Sequence, residues 1–100
     1  MITVLAQVTA APGHESELRA MFTAQVAAVQ QAEPRTLAYA IYEVTDAPGT
    51  FVFVERYADE AAREAHRLDP AVRADIARLP ALTSGASSLQ TLELVAEIRR

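Results

Sequence analysis

The chain has 100 residues, of which 51% are apolar and 22% charged, and it carries a formal net charge of −4 with an isoelectric point near 5.0. This length fits one domain, and the composition excludes a disordered chain, which would be poorer in apolar residues. The absence of Cys and Lys excludes thiolate metal sites, cysteine nucleophiles and Schiff-base chemistry, and the acidic balance gives no electrostatic support to nucleic-acid binding.

Two further features of the composition bear on location and packing. The longest apolar run, residues 37–42, is far too short to cross a membrane, and the N-terminus lacks the basic segment of a signal peptide. The sequence therefore predicts a cytoplasmic protein without nucleic-acid or membrane partners. Alanine accounts for 21 of the apolar residues, which leaves 30 larger ones, a modest number for a self-sufficient core.

The first third of the chain predicts a strand followed by a helix. Residues 2–9 alternate with a period of two, as a half-buried β-strand does, and Pro12-Gly13 ends this pattern. Residues 14–33 then place larger apolar side chains at helical spacing, and Pro34 stops the helix. This apolar stripe comprises Leu18, Met21, Phe22, Val26 and Val29.

Two further strands follow, joined by a short turn. Residues 37–45 and 50–57 are rich in β-branched and aromatic residues, and the turn residues at 46–49 (DAPG) predict an antiparallel hairpin. In the first of these strands Tyr39 and Tyr42 point to opposite faces, so they cannot both line one pocket. One face of the second strand carries Phe51, Phe53, Glu55 and Tyr57.

The last part of the chain predicts two short helices and a fourth strand. Asp59 is a suitable N-cap, and Asp69-Pro70 repeats the start signal of a helix, which Pro80 then ends. A loop rich in Thr, Ser and Gly follows before the last apolar segment. The predicted elements are helices over 60–68 and 70–79 and a strand over 88–98.

The order of elements is β-α-β-β-α-β, with the second helix broken in two. This order favours an α+β fold of the ferredoxin-like type, a four-stranded antiparallel sheet with the helices on one face, formed by residues 1–100 as one domain. Apolar side chains occupy both faces of the predicted third and fourth strands, so the sheet needs a second cover. Another copy of the same sheet supplies it most simply, which predicts a homodimer packed through the sheet face.

Glu55 and His66 are the candidate catalytic residues. Glu55 is a carboxylate among aromatic side chains, where a charge is costly unless it is paired or close to solvent. It either pairs with an arginine as a structural residue or lies at the rim of a pocket with a raised pKa. His66 either is a structural or surface histidine or faces a cavity between helix and sheet. A cavity containing these side chains would favour an enzyme, and a solid core would favour a binding or structural protein.

The aromatic residues have two possible roles. They either pack the core and the dimer interface or line a flat apolar cavity that suits an aromatic ring. The candidate substrate-binding residues are Phe22, Phe53, Tyr57 and Tyr39. No Gly-rich phosphate loop, dinucleotide fingerprint or HExxH motif occurs, so the sequence predicts no cofactor site and no metal site.

A set of features along nearly the whole chain occurs in an order typical of one protein family. The set comprises the opening strand, the turn Ala11-Pro12-Gly13, the helix end Glu33-Pro34, the strand start Leu37-Ala-Tyr39, and the stretch Phe51 to Ala62 followed by Ala65-His66. Within that stretch the order is strand, Glu55, one residue, the aromatic Tyr57, the acidic cap Asp59, alanines and then His66. In these features the sequence resembles the antibiotic biosynthesis monooxygenase family, which includes small bacterial quinol monooxygenases.

The resemblance implies a ferredoxin-like dimeric α+β barrel and oxidation of a small aromatic phenol or quinol by O2, without metal, flavin or another cofactor. It also implies that His66 or Glu55 is the base and that a Tyr or Arg side chain stabilises the oxyanion. Polyketide-tailoring members carry Asn and Trp on the strand that holds Glu55, where this chain has Phe53 and Tyr57. Haem-degrading relatives use Asn, Trp and His, so the sequence disfavours haem degradation.

Two alternative functions stay open at this point. One is a non-catalytic dimeric barrel that binds an aromatic metabolite. The other is an isomerase-like enzyme acting on a small carbonyl metabolite.

Overall fold

The protein is a two-layer α+β domain, as described by a computed structural model of residues 1–100. In chain order the elements are β1 (Ile2–Thr9), α1 (Glu15–Ala32), β2 (Thr36–Glu43), β3 (Thr50–Tyr57), α2 (Glu60–Leu68), α3 (Pro70–Leu82) and β4 (Ser88–Leu92). The strands form one antiparallel sheet in the order β2-β3-β1-β4, and the helices cover one face of it. This confirms the predicted ferredoxin-like fold. None of the helices combines the length and the apolar character needed to cross a membrane.

The core lies between the helices and the sheet. In β3 the side chains at alternate positions 51, 53, 55 and 57 are buried, and those between them are half-buried, which confirms the predicted division of its faces. The apolar stripe of α1 packs onto this face. The main core cluster comprises Val8, Ala10, Leu18, Met21, Phe22, Phe51, Phe53 and Leu82. Complete burial of one large apolar side chain stabilises a fold by about 1.5–3 kcal/mol, so this cluster contributes a large part of the stability.

Two aspartates start α2 and α3, as the sequence predicts. The Asp59 carboxylate accepts a hydrogen bond from the Ala62 N–H at 2.9 Å. The Asp69 carboxylate accepts from the N–H groups of Ala71 and Val72, at 2.9 and 3.3 Å. These bonds satisfy N–H groups that have no partner inside the helix. The caps therefore fix where each of the two short helices begins above the sheet.

The prediction that Pro80 ends the third helix is wrong, because α3 continues to Leu82 with Pro80 inside it. Proline removes one helical hydrogen bond and therefore usually ends a helix. Here the last turn is held by the rest of the protein: Leu82 is buried in the core, and its carbonyl accepts a hydrogen bond from the Ala11 N–H at 2.9 Å. Tertiary packing thus outweighs the local preference.

The predicted last strand over 88–98 is too long, since β4 covers only Ser88–Leu92. Its neighbour β1 is the reason. Thr3, near the start of β1, already pairs with Leu92, so almost no β1 backbone remains for a longer β4. Residues 93–100 are exposed and form no regular secondary structure.

The sheet face away from the helices, which we name the open face, carries several apolar side chains that no helix covers. Leu5, Val52 and Val54 on this face are half-buried. Tyr42 and Leu92 are 60% and 42% exposed. Only 17 of the 100 residues are buried, because the helices cover one face of the sheet alone. The open face therefore carries apolar side chains that the single chain leaves half-buried or exposed.

Candidate functional site

A cavity of about 290 Å³ lies between the sheet and the helices. All four strands and all three helices contribute residues to its walls. All six side chains predicted from the sequence line it: Glu55, His66, Phe22, Phe53, Tyr57 and Tyr39. The volume is close to the lower end for small-molecule sites, so the cavity fits a ligand of one or two rings.

Glu55 is a buried carboxyl group in the cavity wall, 9% exposed. Because side chains alternate along β3, Tyr57 lies on the same face, and its hydroxyl donates a hydrogen bond to Glu55 Oε1. Burial raises the pKa of Glu55 above its ordinary value of 4.5, and the hydrogen bond from Tyr57 opposes this rise. The partner of Glu55 is therefore a tyrosine and not the arginine expected on the structural interpretation.

His66 is 8% exposed and lies on α2, facing the end of α1. Its Nδ1 is 2.8 Å from Oε1 and 3.1 Å from Oε2 of Glu33, the C-cap residue of α1. The imidazole ring packs against Tyr39 and Tyr57, with centroid distances of 5.0 and 5.4 Å. Nε2 has no hydrogen-bond partner in the chain, whereas every fully enclosed side-chain polar atom has one. Nε2 is therefore the accessible nitrogen of this cavity-lining ring.

Tyr39 places a hydroxyl donor in the same cavity. Gln25 Nε2 donates a hydrogen bond to the Tyr39 hydroxyl oxygen at 2.8 Å. Burial, together with the nearby charge of Glu55, raises the pKa of Tyr39, so the hydroxyl keeps its proton at neutral pH. Since the oxygen accepts from Gln25, the O–H proton stays available for a ligand oxygen.

Aromatic rings form the apolar part of the wall. Phe22 packs edge-to-face on Phe53, with ring centroids 4.9 Å apart and planes at 81°. Tyr39 also packs edge-to-face on Phe53, with ring centroids 6.2 Å apart and ring planes at 73°. Such pairs contribute about 0.5–1.5 kcal/mol beyond the area they bury. They hold flat apolar surfaces in place beside Glu55 and His66.

The polar groups of the cavity are suited to acid–base chemistry on a hydroxylated ring. His66 Nε2 can accept a proton, and the Tyr39 hydroxyl can donate a hydrogen bond to the oxyanion that results. Glu55 can hold or release a further proton because burial raises its pKa. No three His, Cys, Asp or Glu side chains lie together in a way that could hold a metal ion.

Two residues of the site, Gln25 and Glu33, were not predicted from the sequence. Gln25 lies four residues after Met21 on the apolar stripe of α1, and Glu33 lies four residues after Val29. Both are therefore polar residues at positions that point toward the core. A polar residue that continues an apolar stripe is the signal that could have identified them.

Comparison with known proteins identifies the family. The family model described as antibiotic biosynthesis monooxygenase matches residues 1–78, which contain all six predicted site residues. The chain belongs to the antibiotic biosynthesis monooxygenase family. No protein of curated function matches the sequence significantly.

Solved structures similar to this antibiotic biosynthesis monooxygenase family member cover nearly its full length. Rv0793 from Mycobacterium tuberculosis is 28% identical with a TM-score of 0.87, over 98% of each chain. PA3566 from Pseudomonas aeruginosa is 28% identical with a TM-score of 0.85, over 95% of this chain and 94% of the other. A crystal structure of an antibiotic biosynthesis monooxygenase is 25% identical with a TM-score of 0.88, over 96% of this chain and all of the other.

Proposed function

We propose that the protein is a cofactor-independent monooxygenase that oxidises a small aromatic phenol or quinol with O2. One observation carries this proposal: flat aromatic walls, the accessible Nε2 of His66 and the buried carboxyl of Glu55 meet in one cavity of about 290 Å³. Membership of a family described as monooxygenases supports the reaction type.

The proposed reaction needs no external reductant. A hydroquinone and one O2 give a hydroxyquinone and one water, so the substrate supplies all the electrons that O2 takes up. Loss of a hydroxyl proton makes the ring a better electron donor to O2, and recombination forms a carbon–oxygen bond and a peroxide. The O–O bond then breaks while the attacked ring carbon loses its hydrogen as a proton, so that this carbon becomes a carbonyl and the outer oxygen leaves as water. These steps require a base, an oxyanion partner and a site with little water.

Each of the cavity residues has a separate role in these steps. His66 Nε2 accepts the first proton from the substrate hydroxyl, and the Tyr39 hydroxyl donates a hydrogen bond to the phenolate oxygen. Glu55 gives a proton to the peroxide oxygen that leaves as water and takes one from the attacked ring carbon, because its raised pKa keeps a protonated population at higher pH than an exposed glutamate would. Phe22, Phe53 and Tyr57 hold the ring by packing.

The non-catalytic alternative accounts less well for these observations. A protein that only binds an aromatic ring has no need of two buried ionisable side chains, since burying each of them costs stability. The isomerase-like alternative uses the same acid–base groups but does not consume O2, so one experiment separates the three functions.

The experiment measures O2 uptake with a panel of quinols and anthrones in chelator-treated buffer, together with ligand binding by calorimetry. We expect O2 consumption, with one oxygen atom recovered in the product and the other in water. His66→Ala should lower kcat by about 100- to 10,000-fold, the range for general acid–base groups. His14→Ala is the control, because His14 lies outside the cavity. Absence of O2 uptake with every substrate would refute the proposal; ligand binding alone would then indicate a binding protein, and O2-independent turnover an isomerase.

A further inference from the structure

The contact between Glu33 and His66 joins two elements that are distant in sequence. We propose that Glu33 is a positioning residue that holds His66 with its ring proton on Nδ1, so that Nε2 is the proton acceptor toward the cavity. The assignment of the tautomer stands on geometry alone. Its consequence for catalysis rests on the proposed function.

The geometry of the contact determines where the proton lies. Nδ1 of His66 is 2.8 and 3.1 Å from the two carboxylate oxygens of Glu33, and both side chains are 10% exposed. A carboxylate has only acceptor oxygens, so a neutral imidazole in this contact carries its proton on Nδ1. The lone pair is then on Nε2, the nitrogen without a partner in the chain.

Glu33 is itself held in place. The Thr36 hydroxyl donates a hydrogen bond to Glu33 Oε1 at 2.8 Å, and the Thr36 N–H donates to the Glu33 carbonyl at 3.1 Å. The turn between α1 and β2 therefore orients the carboxylate by contacts that do not involve His66. Glu33 also lies at the C-terminal end of α1, where the helix dipole disfavours a negative charge. Helix stability alone would not select a carboxylate there, which favours a role in the contact with His66.

The surroundings of His66 contain several other ionisable groups. From the sheet these are Tyr39, Glu55 and Tyr57; from the C-cap of α1, Glu33; and from the cavity-lining parts of α2 and α3, Arg63, Arg67 and Asp75. Only Glu33 among them is hydrogen-bonded to the imidazole. The proton that Nε2 takes from a substrate hydroxyl makes His66 an imidazolium, and the Glu33 carboxylate stabilises this cation. No other bond changes in this step.

The first test observes the tautomer directly in the unliganded protein. Nitrogen-15 NMR at about pH 8.5, where a histidine is ordinarily neutral, reports which ring nitrogen carries the proton. We expect Nδ1 to be protonated and Nε2 to be free in the wild type and in Glu33→Gln, whose amide oxygen still accepts. In Glu33→Ala this preference should be lost. A wild-type His66 protonated on Nε2 would overturn the proposal, whatever the activity.

The chain offers a matched control for this test. Glu17 faces His14 in the same manner, with Oε1 3.2 Å from Nδ1, but this pair is exposed and lies outside the cavity. Glu17→Ala should leave the His66 signals and the kinetics unchanged. Thr36→Val provides a second variant, which keeps Glu33 in the sequence but removes the hydroxyl that orients its carboxylate. This variant should weaken the preference for a proton on Nδ1 without abolishing it.

The second test is kinetic and depends on turnover of a quinol. We expect kcat to fall in the order wild type, Glu33→Gln, Glu33→Ala, by about 10- to 100-fold in total, with KM nearly constant. Full activity in Glu33→Ala would refute the positioning role in catalysis. If no quinol is turned over by any variant, the proposed function fails, while the NMR result still decides whether Glu33 sets the tautomer.

Discussion

The buried carboxyl of Glu55 couples the candidate site to the stability of the fold. Its pKa is higher in the folded protein than in the unfolded chain, because burial disfavours the charged form. The contribution of Glu55 to stability is therefore fully present below pH 4.5, its ordinary pKa, and is lost as the pH rises through the folded-state pKa. The site thus keeps an ionisable group whose charged form opposes folding.

Replacing Glu55 with glutamine should make this effect visible. Glu55→Gln retains an acceptor for Tyr57 but cannot ionise, so its free energy of unfolding relative to wild type should increase as the pH rises above 4.5. Urea unfolding at a series of pH values measures this difference. Glu93→Gln, at an exposed position, should show no such trend. A difference that stays constant with pH would contradict the expectation.

The hydroxyl of Tyr57 should lower the pKa of Glu55 through the hydrogen bond it donates. In Tyr57→Phe we expect the pKa of Glu55 to rise further above 4.5, and stability to fall by about 1–3 kcal/mol, as for a buried polar group that loses its hydrogen-bond partner. Carboxyl carbon-13 NMR of Glu55 and urea unfolding provide the two measurements. Tyr42→Phe is the control, on the open face. An unchanged or lower Glu55 pKa in Tyr57→Phe would show that this bond does not act on the carboxyl.

At the scale of residues, the site could be predicted better in a strand than in a helix. Strict alternation in β3 was enough to place Phe53, Glu55 and Tyr57 on one face. In α1 the many alanines obscure which polar residues point inward, so Gln25 and Glu33 were missed although both continue the apolar stripe. Their hydrogen-bond partners are 14 and 33 residues away, and periodicity carries no information about such pairs.

At the scale of elements, the start of α3 depends on a side-chain cap. The carboxylate of Asp69 satisfies two N–H groups of the first turn, one of which belongs to Val72, a buried residue in the cavity wall. Asp69→Ala should therefore lower the free energy of unfolding by about 0.5–2 kcal/mol. Urea unfolding measures the loss. Asp46→Ala is the comparison, since Asp46 is exposed in the β2–β3 turn; an equal loss in both variants would argue against the cap.

The boundaries of the elements show where local signals were sufficient. Asp69-Pro70 correctly predicted that the second helix is broken in two, because a cap and an N-terminal proline act within one turn. The prediction that Pro80 ends α3 was wrong because two tertiary contacts hold the last turn of this helix. Leu82 is buried in the core, and its carbonyl accepts a hydrogen bond from the Ala11 N–H. The length of β4 depends on how much of β1 remains to pair with it, and this is a property of the sheet.

At the scale of the whole molecule, the open face leaves apolar side chains in contact with solvent. We propose that two copies pack their open faces together to form a homodimer, because Leu5, Val52 and Val54 on this face are only half-buried in one chain. A stable interface of this kind buries about 1,200–2,000 Å² in total. The count of 30 larger apolar residues, modest for one core, then serves two purposes: the core of each chain and the contact between them.

A charge in the middle of the open face should separate the two copies. Val54→Glu should shift sedimentation at micromolar concentration from a dimer to a monomer, since a carboxylate is costly in an apolar contact. Circular dichroism checks that the variant stays folded. Ala27→Glu, on the exposed side of α1, should leave the dimer intact. A wild-type protein that sediments as a monomer under these conditions would refute the homodimer.

The positions of the tyrosines allow ligand binding in the cavity to be followed by fluorescence. The chain has three Tyr and no Trp, so tyrosine dominates its ultraviolet emission. Tyr39 and Tyr57 line the cavity, whereas Tyr42 is on the open face. A quinone held between the first two rings would quench their emission. The unlabelled protein therefore contains its own reporter of occupancy, and Tyr42→Phe would remove the one emitter that does not contact the ligand.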